Sequence, residues 1–315
     1  MLRIGVKVDR ASCHPAGHDM PIGQTCIVHG MACCGRILAI GGAEDRLRGS
    51  KLVRTFAELS GGASARIVLI TAASGIPGRS FAEYSAAFRR FGVPEFRELR
   101  LGSQEDAYDE RALAALAWAT GVFFSGGDQS RLRVLVGSPA NRLLRNRLAG
   151  NKLVIAGTSA GATVMGATMI LGGGCRAADN DAACERVRTG PGLSLLPEVI
   201  IDMHFAERGR LPRLLEAVAR QPSHLGVGID EDTAILASAG RFDVLGRGAA
   251  TAVDAGATAA NCAALGRDDR ASFDIRLHRL YAGDAFDMHR RRRASTSRTA
   301  QDPAVHRYDG LPDPS

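Results

Sequence analysis

Gly157-Thr158-Ser159-Ala160-Gly161 fits the pattern G-x-S-x-G and lies between the apolar stretch KLVIAG (152–157) and a run of small residues suited to a helix start. This is the setting of a nucleophile elbow, in which a sharp strand-to-helix turn lifts a serine hydroxyl above the strand end. The amide of Ala160 would point to where an oxyanion forms, and a helix N-terminus would add favourable partial charge. A serine nucleophile needs a base. Of the eight histidines, His204 alone closes an apolar run, Val199-Ile200-Ile201, with an acid two residues earlier at Asp202, whereas His224 sits in a Pro-Ser turn context suited to the surface. A third group should orient the base, and Asp202, Asp230, Glu231 and Asp232 are all candidates that spacing does not separate. Gly126-Gly127-Asp128-Gln129 follows the apolar GVFFS. A glycine pair at a strand end lets the backbone approach closely, as a second oxyanion donor must. Arg208, Arg210 and Arg213 follow His204 and suit carboxylates through forked hydrogen bonds. The plain alternatives are a Gly/Ser helix cap, a structural histidine, an ordinary turn and a solvated helix face.

Elements must hold these groups in place. RILAIGG (36–42) and RIVLITAA (66–73) read as buried strands, with further strands expected at 96–101, 121–125 and 152–157. Helical spacing marks 50–60, 79–92, 109–118 and 139–149. The stripe Phe81, Tyr84, Phe88 and Phe91 reads as core packing. Strands alternating with helices predict an α/β fold with a mainly parallel central sheet flanked by helices. After about residue 221, LGVGID, AILAS and RFDVLG follow at short intervals, which predicts a strand-rich C-terminal part.

The 315 residues are 45% hydrophobic and 23% charged, which excludes a wholly disordered chain. With 37 Gly, only 12 Pro and no G-X-Y period, collagen is excluded too. No apolar run approaches the roughly 18 residues that span a bilayer. MLRIGVKVDR lacks a secretory h-region, so a cytoplasmic protein is expected. Seven cysteines, an odd number without a C-x-x-C pair, read as free thiols in a reducing compartment. Cys13, His14, His18, Cys26, His29, Cys33 and Cys34 match no zinc template, and residues 1–35 read as a loose extension, with Met31 an alternative start. The formal net charge is +7, but residues 276–298 carry +5 of it, and only three of the 40 basic residues are lysines. No aromatic-interleaved basic patch supports nucleic-acid binding. Residues 289–315, opening near four consecutive arginines, read as an Arg-rich disordered tail.

Five blocks occur in order: Gly41-Gly42-Ala43-Glu44-Asp45, Phe123-Phe124-Ser125-Gly126-Gly127-Asp128-Gln129, Gly157-Thr158-Ser159-Ala160-Gly161-Ala162, Asp202-Met203-His204-Phe205 and Gly228-Ile229-Asp230-Glu231-Asp232-Thr233-Ala234. In order and spacing they resemble the cyanophycinase family of serine peptidases, relatives of the aspartyl dipeptidases of the peptidase E type. The resemblance covers residues 36–288. It implies a class I glutamine amidotransferase-like fold and hydrolysis of multi-arginyl-poly-aspartate to β-Asp-Arg dipeptides. It assigns the nucleophile to Ser159, the base to His204 and the orienting acid to Glu231, an order unlike the Ser…Asp…His of α/β-hydrolases. It puts oxyanion amides at Gly127 and Ala160 and substrate contacts at Gln129, Asp202, Arg208, Arg210 and Arg213. It implies no metal or organic cofactor, and a homodimer.

Two features depart from the resemblance. Met203 stands where the family usually has Gln, which removes an amide group worth about 1–3 kcal/mol of recognition. Residues 175–190, rich in Asp and Cys, are atypical. Met203 keeps open a dipeptidase without polymer activity. A non-catalytic binding protein on the same scaffold is the rival of another class, and the complete Ser, His and Glu set argues against it.

Overall fold

The apolar runs and helical stripes of residues 36–158 fold as alternating strands and helices: β1 (Arg36–Ile40), α1 (Lys51–Leu59), β2 (Arg66–Ile70), α2 (Pro77–Arg90), β3 (Glu95–Leu99), α3 (Glu110–Trp118), β4 (Gly121–Phe124), α4 (Pro139–Ala149) and β5 (Val154–Thr158). Side-chain oxygens of Ser50, Asp109 and Ser138 accept from the first free amides of α1, α3 and α4, which sets where each helix begins. The computed structural model describes residues 35–44, 50–174, 185–256 and 275–294, all within one compact unit, Ala32–Ser315. The cysteines and the proposed 1–35 extension lie outside the described residues, apart from Gly35.

The rest of the described chain is richer in strands. It runs α5 (Ala160–Thr163), β6 (Gly166–Gly174), β7 (Glu185–Pro191), β8 (Leu196–Met203), α6 (Leu211–Ala219), β9 (Leu225–Ile229), β10 (Thr233–Ser238), β11 (Arg241–Gly246), β12 (Ala249–Asp254), β13 (Arg276–Tyr281), β14 (Ala285–Asp287) and β15 (Arg292–Ala294). Among the described residues there is a nine-stranded sheet, β15-β14-β11-β10-β1-β5-β4-β2-β3, and a six-stranded sheet, β13-β12-β9-β8-β6-β7.

The expected mainly parallel central sheet is corrected to a mixed one. β1, β5, β4, β2 and β3 pair in parallel, but β10, β11, β14 and β15 extend the other edge of β1 in antiparallel pairs. Helices return the chain for parallel pairing, whereas short turns make hairpins of β10–β11 and β14–β15, and these add to the edge of β1 in antiparallel pairs.

β1, β2, β4 and β5 are apolar over most of their length because both faces are covered, whereas the edge strand β3 carries charged residues. Leu38, Ile40, Ile67 and Leu69 pack with Phe56, Tyr84 and Phe88 of α1 and α2. Ile37, Ala39, Val68 and Ile70 belong to the opposite core, with Leu116, Leu144 and the second sheet's Ile201 and Val227.

The expected loose tail is corrected at its start. Arg292–Ala294 pair with β14, and Arg290, Arg291 and Arg293 bond to Asp287, Asp254 and Asp284. The run is matched by two acids of the same hairpin region, Asp284 and Asp287, and by one from a distant strand, Asp254. Residues 295–315 lie outside the described residues. Among the described residues no helix is long and apolar enough to cross a membrane.

Candidate active site

The carboxyl ends of β1, β4, β5, β8 and β9 bring Gly41, Gly126, Ser159, His204 and Glu231 into one region, the usual location of sites in open α/β sheets. Ser159 has φ 51° and ψ −114°. Its amide donates to Ile40 O at 3.0 Å, and its carbonyl accepts from Ala162 and Thr163 amides, each at 3.0 Å. The two elbow glycines are required by close approach: a Cβ at Gly157 would lie 2.6 Å from Gly161 O, and one at Gly161 would lie 2.3 Å from Phe124 O. The helix after Ser159 is a single turn of four residues. The expected helix dipole is therefore replaced by local amides; that of Ala160, first in the helix, has no intrahelical acceptor.

Ser159 Oγ lies 3.0 Å from His204 Nε2, and His204 Nδ1 lies 2.6 Å from Glu231 Oε1. A carboxylate only accepts, so Nδ1 carries the hydrogen and Nε2 is left to accept from the serine. The His204 side chain is 11% exposed and that of Glu231 35%. His204 itself has φ 48° and donates its amide to Gly41 O at 2.8 Å.

The other acids are engaged elsewhere. Asp230 accepts from the Ala206 and Ala249 amides, and Asp232 faces Arg247 at 4.0 Å. His224 contacts Ser223; burial holds its imidazole below the ordinary histidine range.

Asp202 is fully buried. Arg213 Nε donates to its Oδ2 at 2.6 Å and Arg213 Nη2 to its Oδ1. Arg210 Nη1 donates to the same Oδ1 at 3.3 Å, to Met203 O at 2.5 Å and to Met203 Sδ at 2.7 Å. Burial lowers the Arg210 guanidinium to about 10, against the pull of Asp202. Asp202, expected as a substrate contact, has its oxygens turned to the two arginines. Arg208 is exposed.

Gly126 and Gly127 sit beside the serine: a Cβ at Gly126 would lie 3.4 Å from Ser159 Cβ. Gly127 has φ 141°, and a Cβ there would lie 2.0 Å from Ala73 O. Asp128 caps the following turn, and its carboxylate is held below its ordinary range by hydrogen bonds from Ser130. Gln129, first in that turn, donates from Nε2 to Ile170 O at 2.7 Å. An amide has two N–H donors and one acceptor oxygen, so this bond leaves both a donor and the oxygen for further contacts. Among the described residues no group of three or more His, Cys, Asp or Glu could hold a metal ion.

One buried carboxylate has no role in the reading from sequence. Glu44 accepts hydroxyl hydrogens from Thr158 and Tyr84. Its only sequence signal is its place in the first of the five blocks.

Comparison with known proteins identifies a family. The model for "Peptidase family S51" matches residues 37–245. A cyanophycinase of Synechococcus elongatus is 42% identical over 258 residues, 81% of this chain and 79% of that protein. One from Nostoc sp. is 40% identical over 275 residues, 86% of this chain and 89% of that protein. The crystal structure of a peptidase from an acI-B1 Actinobacterium shares the fold, with TM-score 0.57 and 18% identity over 82% of this chain and 98% of that one. Matched by the family model over most of its length and by relatives at 40% identity or more, the chain belongs to peptidase family S51, together with the cyanophycinases.

Proposed function

We propose that the chain is a serine exopeptidase that hydrolyses cyanophycin, multi-L-arginyl-poly-L-aspartate, to β-Asp-Arg dipeptides. The observation that carries this reading is the continuous relay from Ser159 Oγ through His204 to Glu231; the names of the relatives supply the substrate class. Ser159 Oγ attacks the amide carbonyl that joins successive aspartates. His204 Nε2 takes the hydroxyl proton and passes it to the amine as the C–N bond breaks. Glu231 holds the imidazole and stabilises its charged form. The amides of Gly127 and Ala160 bind the oxyanion. Water, deprotonated by the same histidine, then cleaves the acyl-enzyme ester.

Arg208, Arg210 and Arg213 bind substrate carboxylates by charge, with Asp202 fixing the last two, and Gln129 accepts a substrate N–H. The same reading carries a class I glutamine amidotransferase-like fold, a catalytic domain over 36–288, a cytoplasmic location and a homodimer.

A second reading, an aspartyl dipeptidase without polymer activity, is favoured by the Met203 thioether packed on Arg210 where the family's amide would stand. A serine-reactive phosphonate probe tests the chemistry. It is expected to modify Ser159 in the wild type and to leave Ser159→Ala unmodified; a folded wild type without labelling or turnover would favour a binding protein. Cleavage of Asp dipeptides with no release from polymer would favour the second reading.

A further inference from the structure

The loop Gly41–Glu44, directly after β1, touches His204 and the chain neighbours of Glu231 and Ser159. Gly41 O accepts from the His204 amide at 2.8 Å, and Gly42 O accepts from Asp232, the neighbour of Glu231, at 2.9 Å. Gly42 has φ 108°, and a Cβ there would lie 2.3 Å from His204 Cε1, so the loop backbone lies directly against the imidazole. Two residues later the chain buries Glu44, which is 4% exposed. Glu44 Oε2 accepts from Thr158 Oγ1 at 2.5 Å, and Oε1 accepts from the Tyr84 hydroxyl at 2.5 Å. Thr158 and Tyr84 are themselves buried.

Thr158 immediately precedes Ser159, whose φ of 51° is unfavourable for a residue with a side chain. Such a backbone persists only where its surroundings over-determine it. Hydrogen bonds hold Ser159's own amide and carbonyl. The Thr158 side chain supplies a separate anchor, and Glu44 is what it is anchored to. Hydrogen bonds to a buried carboxylate are short and directional, as these are.

We propose that Glu44 is a positioning residue for the hydrolytic step: by accepting the Thr158 hydroxyl it fixes the elbow so that Ser159 Oγ stays within reach of His204 Nε2. The proposal rests on the reading of Ser159 as nucleophile. The hydroxyls that Glu44 accepts belong to Thr158 and Tyr84, neither of them a group of the relay or a substrate-binding arginine. Its effect therefore falls on attack and leaves binding unchanged.

The test uses the full chain with soluble cyanophycin. Thr158→Val keeps the shape and removes the hydroxyl; Thr158→Ser keeps the hydroxyl. Exhaustive labelling with the phosphonate probe counts reactive sites, so that kcat is expressed per site whatever fraction folds. For Thr158→Val, kcat per site and the labelling rate are expected to fall together by about 10–100-fold with KM within twofold, because small misplacements of reacting atoms act on kcat. Thr158→Ser is expected to recover most of the loss. Glu44→Gln keeps the volume and offers one acceptor oxygen to two hydroxyls; it is expected to fall between them, and it decides the matter if Thr158→Val does not fold. A wild-type kcat per site in Thr158→Val or Glu44→Gln, with only the melting temperature lowered, would overturn the proposal. Ser159→Ala, run alongside, separates the two failures: turnover there overturns the nucleophile assignment and this inference with it.

Discussion

At the scale of single residues, the choice among four acids illustrates what spacing cannot reveal. Glu231 reaches His204 Nδ1 across 27 positions of chain, because two different strands end side by side. Asp202, closest to the histidine in sequence, is turned away by the alternation of β8 and meets two arginines instead. Ser159 and His204 were legible from G-x-S-x-G and from the end of an apolar run; Glu231 came from the family resemblance and not from spacing, because its approach to the histidine depends on the pairing of β8 with β9. Glu231→Gln is expected to leave the fold intact and to lower kcat by about 10²–10⁴-fold, because an amide can hold the wrong imidazole tautomer; an unchanged kcat would remove Glu231 from the relay. Asp202→Asn leaves two half-buried guanidinium groups without their anion, which costs about 3–5 kcal/mol when a buried pair loses one member. Denaturant unfolding checks this, and a loss below about 1 kcal/mol would show the cluster to be well solvated.

At the scale of elements, the βαβ half of the chain was legible because its periods are strong: continuous apolar runs for strands covered on both faces, and 3.6-residue stripes for α1 and α2. The stripe Phe81, Tyr84, Phe88 and Phe91 reads correctly as core, since Tyr84 and Phe88 are fully buried against Phe123. The hydroxyl at the end of Tyr84 was not legible, because hydropathy describes the ring and not the distant Glu44 it meets. β15 was hidden because it begins inside a run of four arginines; acids outside the run and pairing with β14 give it order. Asp287 anchors that hairpin by accepting the Arg290 and His289 amides at 2.8 and 3.0 Å. The Arg290 hydrogen bond is the largest cause that holds its carboxyl below 3.8. A lowered folded pKa gives stability that is present above the unfolded value and lost as pH falls through the folded one. Amide protection in β14 and β15 is therefore expected to fall selectively as the pH drops below the ordinary aspartate range, and Asp287→Asn is expected to weaken it at neutral pH. Equal protection in the two proteins across that range would contradict the assignment.

At the scale of the whole molecule, the net charge of +7 divides into two kinds of arginine. Arg290, Arg291 and Arg293 sit on acids along a sheet edge. Arg208, Arg210 and Arg213 follow the base, two of them held by one buried aspartate. Composition cannot separate these, since both are clusters of the same residue; the fold separates them by place, one on acids at a sheet edge and the other beside the histidine around one buried aspartate. The mixed sheet follows the same logic. Local period identifies each strand, whereas parallel or antiparallel pairing depends on how the chain returns. The central claim, that a serine relay at the carboxyl ends of these strands depolymerises an arginyl-aspartate polymer, is tested most directly on insoluble cyanophycin granules. Wild type and Ser159→Ala are incubated with granules and the soluble products are identified by mass. The account predicts β-Asp-Arg dipeptide from the wild type and none from Ser159→Ala; dipeptide at equal rates from both, or none from a folded wild type, would contradict it.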